Sequence, residues 1–214
     1  MRRLRPPDKA SILALPVFQG IAHNAVLVPQ NEAALEAAWN ALSQADYIGF
    51  DTESKPTFVA GEPPRGPDVV QFATDTHAFI LQMRYEGSRD LARQVLRAPV
   101  VKTGFSVVQD QAALERLLGH CAKPLLDLDE VFRQQGYGSS TGIRAAVAVV
   151  FDRRFVKSKR VTTSNWSHAR LEPRQLQYAA DDAYVALKVL RALKLQRAEL
   201  PIWDSGRPPP REVL

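Results

Sequence analysis

The stretch that decides the fold is Gln175-Leu176-Gln177-Tyr178-Ala179-Ala180-Asp181-Asp182-Ala183-Tyr184. Pro173 lies just before it, and proline is favoured at the first position of a helix, so we predict that a long helix begins there. Side chains four residues apart lie on one face of a helix. Tyr178 and Asp182 should therefore project together, whereas Asp181 is turned away by about 100°. We interpret Asp181 as a solvated or capping neighbour.

A second acidic segment closes an apolar run much earlier in the chain. Residues Tyr47–Glu53 read Tyr-Ile-Gly-Phe-Asp-Thr-Glu, which is typical of a core strand. Side chains two residues apart in a strand point to the same face, so Asp51 and Glu53 point to one face and Thr52 points to the other. Burying these two carboxylates is costly unless a cation or another partner compensates them.

A third carboxylate, Asp110, lies between these two segments. Ser106 followed by Gln109 forms a Ser-x-x-Gln capping-box pattern. This pattern predicts a helix that begins at Ser106 and carries Asp110 in its first turn or so.

Together the three segments supply four carboxylates and one phenol. Carboxylate oxygens are hard ligands, and Mg²⁺ or Mn²⁺ prefers them to nitrogen or sulfur. Four carboxylates can hold two divalent ions, which is an arrangement suited to in-line displacement at phosphorus. The pattern therefore predicts a metal-dependent nuclease.

Each feature also has an ordinary structural explanation. An aspartate at a strand end usually caps a turn, and Asp110 suits the first turn of any helix because of the helix dipole. A tyrosine such as Tyr178 is more often a half-buried helix residue than a catalyst. The joint occurrence of all these residues, in order and each in its expected context, favours catalysis over the separate explanations.

At this point the chain resembles the DEDD 3′–5′ exonucleases, in the tyrosine-containing branch that includes ribonuclease D and the Werner-syndrome-type exonuclease domains. The resemblance covers roughly residues 25–195. The matching segments are Phe50-Asp51-Thr52-Glu53, Val69-Val70-Gln71-Phe72-Ala73, Val101-Lys102-Thr103-Gly104-Phe105 through Asp110, Lys157-Ser158-Lys159, Ser164-Asn165-Trp166 and Gln175–Ala183. The resemblance implies an α/β, RNase H-like fold, in which helices flank a mixed β-sheet. It also implies release of nucleoside 5′-monophosphates from 3′ ends.

The family pattern Tyr-x-x-x-Asp selects Asp182, rather than Asp181, as the metal ligand. The resemblance implies that Asp51, Glu53 and Asp182 hold the ion that activates the attacking water. Asp51, with Asp110 acting directly or through water, would help to hold a second ion. Tyr178 has an ordinary pKa near 10, so we expect it to orient the water rather than to act as a base.

The family often places an aromatic residue or a proline soon after its Asp-x-Glu. Here the following residues are Ser54-Lys55-Pro56-Thr57-Phe58, and we expect Phe58 to stack near the terminal base.

Charge and composition are consistent with a nucleic-acid partner. The formal net charge is +5 and the sequence pI is about 9.5. A basic run contains Arg153, Arg154, Lys157, Lys159 and Arg160. It could be a solvated loop, but small polar residues follow it, which favours a loop that grips the phosphate backbone. We expect Lys157, Lys159, Arg160, Asn165 and Trp166 to contact the strand.

The 214 residues suit a single domain. The single cysteine, Cys121, excludes an internal disulfide and favours a reducing compartment. Apolar stretches are too short to span a membrane, and the basic start lacks the apolar region of a signal peptide. We therefore expect a cytoplasmic protein, nuclear if eukaryotic, that does not contact membranes.

Turn signals and periodicity give the layout of the chain. We predict a basic, irregular N-terminal arm at residues 1–20, an exonuclease domain at 21–200 and a Pro-rich tail at 201–214. Within the domain, Val69–Ala73 and Ala78–Leu81 should form a hairpin. The other predicted strands are Ala25–Val28, Tyr47–Glu53, Val100–Lys102 and one that begins at Leu125. The predicted helices are residues 31–41, Leu91–Leu96, the one carrying Asp110, Glu130–Gln134, Ile143–Val150 and Pro173 to about Leu200.

The resulting hypothesis is a two-metal 3′–5′ exonuclease that uses Mg²⁺ or Mn²⁺ and acts on DNA or RNA 3′ ends. The closeness of the Ser164-Asn165-Trp166 match, and the lack of appended helical RNA-binding domains, favour DNA slightly. An exoribonuclease of the ribonuclease D type is the first alternative. A non-catalytic nucleic-acid-binding module on the same fold is the second, although binding alone needs neither the carboxylates nor Tyr178.

Overall fold

A computed structural model describes residues 4–56, 66–138 and 141–204. Its strands are β1 (Val26–Leu27), β2 (Tyr47–Glu53), β3 (Val69–Ala73), β4 (Ala78–Gln82), β5 (Val101–Gly104) and β6 (Leu125–Asp127). Its α-helices are α1 (Lys9–Ala14), α2 (Glu32–Ser43), α3 (Glu86–Arg97), α4 (Gln111–Leu118), α5 (Leu128–Gln134), α6 (Ile143–Phe151), α7 (Lys159–Thr162) and α8 (Pro173–Leu193). Short 3₁₀ segments cover His23–Ala25, Val107–Asp110 and Arg197–Glu199.

The strands form one mixed sheet in the order β1-β4-β3-β2-β5-β6. Strands β2, β3 and β4 are antiparallel neighbours, whereas β5 and β6 continue the sheet in parallel from β2. The predicted hairpin is β3–β4, and the predicted mixed sheet flanked by helices is confirmed.

Strand β2 divides its side chains between two different environments. Ile48 and Phe50 are fully buried in a core that includes residues of α2 and α3. Gly49 lies on the other side, where α8 approaches so closely that a Cβ on Gly49 would be 1.9 Å from the carbonyl oxygen of Ala183. Glycine is required there because any side chain would push α8 away from the sheet. The same alternation places Asp51 and Glu53 on the α8 side.

Helix α8 is amphipathic and covers the centre of the sheet. Its small residues Ala179, Ala180 and Ala183 pack against Val69 and Ile80 of the hairpin. Farther along, α8 joins α5 and α6 in a second core next to β5 and β6. Because small side chains line the first contact, the helix backbone lies close to β2, and Asp182 of α8 faces the end of that strand.

Three segments differ from the sequence interpretation. The N-terminal arm is not wholly irregular, because Asp8 accepts a hydrogen bond from the N–H of Ser11 and caps α1. Helix α8 ends at Leu193, where Lys194 has a left-handed φ of 53°. In the segment assigned to the tail, Trp203 is 9% exposed and exchanges backbone hydrogen bonds with Leu125 of β6.

Among the described residues, no helix has both the length and the apolar character needed to cross a membrane.

Candidate active site

Three carboxylates meet where β2 ends beneath α8. Asp51, Glu53 and Asp182 each offer an oxygen atom, and these atoms all lie within 4.8 Å of one another. The strand period brings the first two together, and the close packing of α8 at Gly49 adds the third. The cluster joins residues separated by more than a hundred positions in the sequence.

Burial and mutual repulsion make the charged forms of these carboxylates unfavourable unless a cation compensates them. Burial, followed by the charges of Asp51 and Asp182, raises the pKa of Glu53 to about 9. Burial and the charge of Asp182 raise the pKa of Asp51 well above its ordinary value. Asp182 is 2% exposed, and its Oδ1 accepts no hydrogen bond of ordinary geometry from the described residues. Such a group of hard oxygen donors fits a divalent cation, which would compensate the charges that the protein leaves unbalanced.

Tyr178 lies one helical turn before Asp182. It is 8% exposed, and its hydroxyl is 2.8 Å from the hydroxyl of Thr162. Burial, then the charge of Asp182, raises the pKa of Tyr178 to about 12. The phenol therefore keeps its proton at neutral pH and can orient a neighbouring group by hydrogen bonding.

Asp110 lies in a 3₁₀ segment rather than in the first turn of the predicted helix. It ends the 3₁₀ segment Val107–Asp110, and a hydrogen bond from the Thr52 side chain reaches it. Burial raises its pKa to about 6 despite that hydrogen bond. Asp110 is not part of the group of oxygens within 4.8 Å, but its charge contributes to the raised pKa of both Asp51 and Glu53.

The predicted capping box at Ser106 is wrong. Ser106 adopts a left-handed φ of 57°, and its hydroxyl donates to Asp129 Oδ2 at 2.6 Å instead of capping a helix. The segment is held by Asp127, whose carboxylate accepts from the N–H groups of Ser106 (3.1 Å) and Val108 (3.4 Å). Asp127 therefore orients the turn that carries Asp110, a function that sequence reasoning missed. The available signal was an aspartate at the end of the apolar pair Leu125-Leu126.

Gln71 is a second polar residue that sequence reasoning did not single out. It pairs with Asp51 across β2 and β3, so the two side chains share the α8 side of the sheet. Gln71 is fully buried, and neither polar atom of its amide has a hydrogen-bond partner among the described residues. The signal was a glutamine between apolar residues in the run Val69–Ala73.

Lys157 lies inside the site. Its Nζ is 2.6 Å from Asp182 Oδ2 and 5.2 Å from the centre of the Tyr178 ring. Burial opposes its charge, but Asp182 and Asp51 outweigh that effect and raise the pKa of Lys157 above its ordinary value. Lys157 is thus paired with a carboxylate rather than extended into solvent to meet phosphates.

The other residues predicted to contact the strand differ in their surroundings. Lys159 and Arg160 are exposed on α7, where phosphate can reach them. Trp166 is 1% exposed, and its indole N–H donates to the carbonyl of Thr162, so it is not available to stack on bases. Asn165 accepts hydrogen bonds from Ser167 and closes a turn. Phe58 lies outside the described residues.

Asp181 is half-buried and is not part of the carboxylate cluster. Its Oδ1 accepts from the backbone N–H of Ile21 at 2.9 Å and from Gln177 Nε2 at 3.0 Å. It therefore attaches the chain that follows the N-terminal arm to α8, on a different side of the helix from Asp182.

The sequence model of a family described as 3′-5′ exonuclease matches residues 26–197. This chain belongs to that family. An Arabidopsis thaliana 3′-5′ exonuclease is 27% identical over 163 residues, which are 75% of this chain and 55% of that protein. The human exonuclease mut-7 homolog is 29% identical, and the match covers 86% of this chain and 25% of that protein. The chain thus spans about half of the first relative and a quarter of the second.

Solved structures agree with this assignment at the level of the fold. The ribonuclease D of Trypanosoma brucei, in its complex with RNA U12, superposes with a TM-score of 0.68 at 20% identity. The match covers 88% of this chain and 65% of that one. The RNase H-like fold is confirmed, in agreement with the membership of the 3′-5′ exonuclease family.

Proposed function

We propose that this protein is a two-metal-ion 3′–5′ exonuclease that releases nucleoside 5′-monophosphates from nucleic-acid ends. The observation that carries the proposal is the meeting of Asp51, Glu53 and Asp182 within 4.8 Å, in a chain of the exonuclease family. Binding a strand requires none of these buried carboxylates, so their cluster argues against a purely structural or binding module.

Asp51, Glu53 and Asp182 would hold one divalent ion, and Asp51 with Asp110 would hold the second. Bound Mg²⁺ or Mn²⁺ would supply Lewis acidity and a water of low pKa. Asp127 contributes by fixing the backbone of the turn that presents Asp110. The separation of Asp110 from the other three carboxylates suits a shared site in which Asp51 is the common ligand.

Tyr178 would position the attacking water next to the scissile phosphate. Its raised pKa of about 12 makes it a poor base at neutral pH, so its contribution is a directed hydrogen bond. Thr162 lies 2.8 Å from the phenol oxygen and restricts the direction in which the hydroxyl proton points. Lys159 and Arg160 would contact backbone phosphates upstream of the bond that is cut.

DNA is our first candidate substrate, and RNA is the second. The RNA complex of the Trypanosoma brucei ribonuclease D favours the second candidate, since that protein has the same fold. The carboxylate cluster does not discriminate between the two, because the 2′-hydroxyl is recognised by groups outside it.

The test is digestion of labelled DNA and RNA strands of one sequence, with Mg²⁺, with Mn²⁺ and with a chelator. We expect mononucleotide release that depends on the ion, resists a blocked 3′ end and ignores a blocked 5′ end. The Asp51→Asn variant is the control for a contaminating nuclease. Cleavage of a circular strand, or undiminished digestion by Asp51→Asn, would contradict the proposal.

A further inference from the structure

The side chain of Lys157 lies inside the carboxylate site rather than on the protein surface. The ammonium lies 2.6 Å from Asp182 Oδ2, and the exposed fractions of the two side chains are 26% and 1%. The same ammonium lies over the Tyr178 ring. Lys157 therefore contacts both residues that α8 contributes to the proposed reaction.

The backbone around Lys157 is held in place, whereas its side chain is long and flexible. Arg144 of α6 donates a hydrogen bond of 2.6 Å to the carbonyl of Lys157. Phe155 and Val161 on either side are buried, at 8% and 6% exposure. A lysine side chain has four rotatable bonds, so its ammonium can move by several ångströms while this backbone stays fixed.

The charge balance of the site makes Lys157 and a divalent ion competitors. The oxygens of Asp51, Glu53 and Asp182 lie within 4.8 Å of one another, and one ammonium cannot balance three carboxylates. A divalent ion bound to either oxygen of Asp182 would repel an ammonium that lies 2.6 Å from Oδ2. Either cation can neutralise Asp182, but each lowers the affinity of Asp182 for the other.

We propose that Lys157 is a built-in counter-ion of the metal site, which pairs with Asp182 until a divalent ion binds and then moves to a phosphate of the bound strand. This inference rests on the proposed function, because it takes Asp182 to be a metal ligand. It makes Lys157 a positioning residue that links ion binding to capture of the strand. The cost of separating Lys157 from Asp182 lowers the affinity for the ion, and contact with phosphate restores part of that loss.

The first test measures Mn²⁺ binding calorimetrically on the full chain without nucleic acid. Lys157→Met should bind Mn²⁺ about tenfold more tightly than the unmodified protein, because the ion no longer displaces an ammonium. Lys157→Arg should keep the weaker affinity, since it keeps the charge. Lys188→Met is the matched control, because Lys188 is on α8 and its partner Asp75 lies 3.8 Å away at the surface.

Equal or weaker Mn²⁺ binding by Lys157→Met would overturn the competition. Lys157→Gln serves as a second neutral variant, and its affinity decides the matter if Lys157→Met does not fold. Asp182→Asn separates this inference from the proposed function. If Asp182→Asn binds Mn²⁺ normally, the metal assignment fails; if it loses Mn²⁺ while the neutral Lys157 variants gain none, only the role of Lys157 fails.

The second test measures strand digestion at saturating Mn²⁺. The neutral Lys157 variant should raise KM for a short single strand about threefold to tenfold, with a smaller change in kcat, because one phosphate contact is lost. The KM should also become less sensitive to salt. An unchanged KM and an unchanged salt dependence would contradict the transfer of the ammonium to phosphate.

Discussion

Two buried charges in this molecule have opposite surroundings. Lys102 of β5 is 0% exposed, and its ammonium donates to the carbonyls of Ala98 (2.7 Å), Val100 (3.0 Å) and Lys123 (2.7 Å). Those three bonds use all the donors of an ammonium group. Asp182 is nearly as buried, but its Oδ1 has no hydrogen-bond partner within normal distance and angle among the described residues.

The difference distinguishes a structural charge from a charge that serves a ligand. Lys102 links the loop before β5 to the loop before β6, and its donors are fully used within the protein. Asp182 shares its pocket with Asp51 and Glu53, and Lys157 balances only part of their charge. A buried charge whose hydrogen bonds are all made within the protein holds neighbouring segments together, whereas an unbalanced cluster creates affinity for a cation.

The largest effect should come from Asp182→Asn. Removal of this proposed metal ligand should reduce hydrolysis to background, since the amide cannot replace its charge. The metal-free melting temperature at neutral pH should stay constant or rise, because the remaining carboxylates repel one another less. Strand digestion and calorimetric melting in a chelator measure the two quantities. Retained activity would show that Asp182 is not needed for hydrolysis.

Tyr178→Phe should have the next largest effect. Loss of the phenol hydroxyl should lower kcat by about 10²-fold, which is typical of a positioning or proton-transfer group. Mn²⁺ affinity should change little, because the tyrosine holds no ion. Single-turnover digestion measures the rate, and calorimetry measures the Mn²⁺ affinity. A large loss of Mn²⁺ affinity would show instead that Tyr178 shapes the carboxylate cluster itself.

Lys102→Met should show the reverse pattern. It leaves three buried carbonyls without their donor, so the free energy of unfolding should fall by about 2 kcal/mol. The activity of each folded molecule should be unchanged, because Lys102 contacts none of the site residues. Urea unfolding, combined with digestion assays below the melting temperature, checks both statements. Lost activity in a fully folded variant would end the distinction between the two buried charges.

The smallest effects, for a change of one pH unit, should be opposite dependences of stability on pH. Glu53 has its pKa raised from 4.5 to about 9, so between these values the folded chain binds more protons and metal-free stability falls as pH rises. Lys102 has its pKa lowered from 10.5 to about 7, so in that window the unfolded chain binds more protons and stability rises with pH. Each contribution should be on the order of 1 kcal/mol per pH unit.

Glu53→Gln should remove the falling contribution and Lys102→Met the rising one. Melting in a chelator at several pH values, with each variant compared to the unmodified chain, separates them. If both variants change the pH dependence in the same direction, one of the two pKa shifts has been assigned the wrong sign.

Features with a local period could be predicted from the sequence. Strand β2 was predicted with the bounds that the structure has, and its alternation correctly placed Asp51 and Glu53 on one side. The four-residue spacing of Tyr178 and Asp182 likewise placed them together, as their shared contact with Lys157 shows. These predictions succeed because strand and helix periods follow from backbone geometry and do not depend on the rest of the chain.

Only the tertiary structure decided which partners these residues meet. Asp127 holds the turn at Ser106 from another strand, and Asp181 binds Ile21 although 160 positions separate them. The burial of Trp166, and the pairing of Lys157 with Asp182 rather than with solvent, also depend on how α6, α7 and α8 pack. Residue types and spacings determined which groups could bind a metal; the close packing of α8 on Gly49 decided that three of them converge, because contacts between distant segments arise only when the core is assembled.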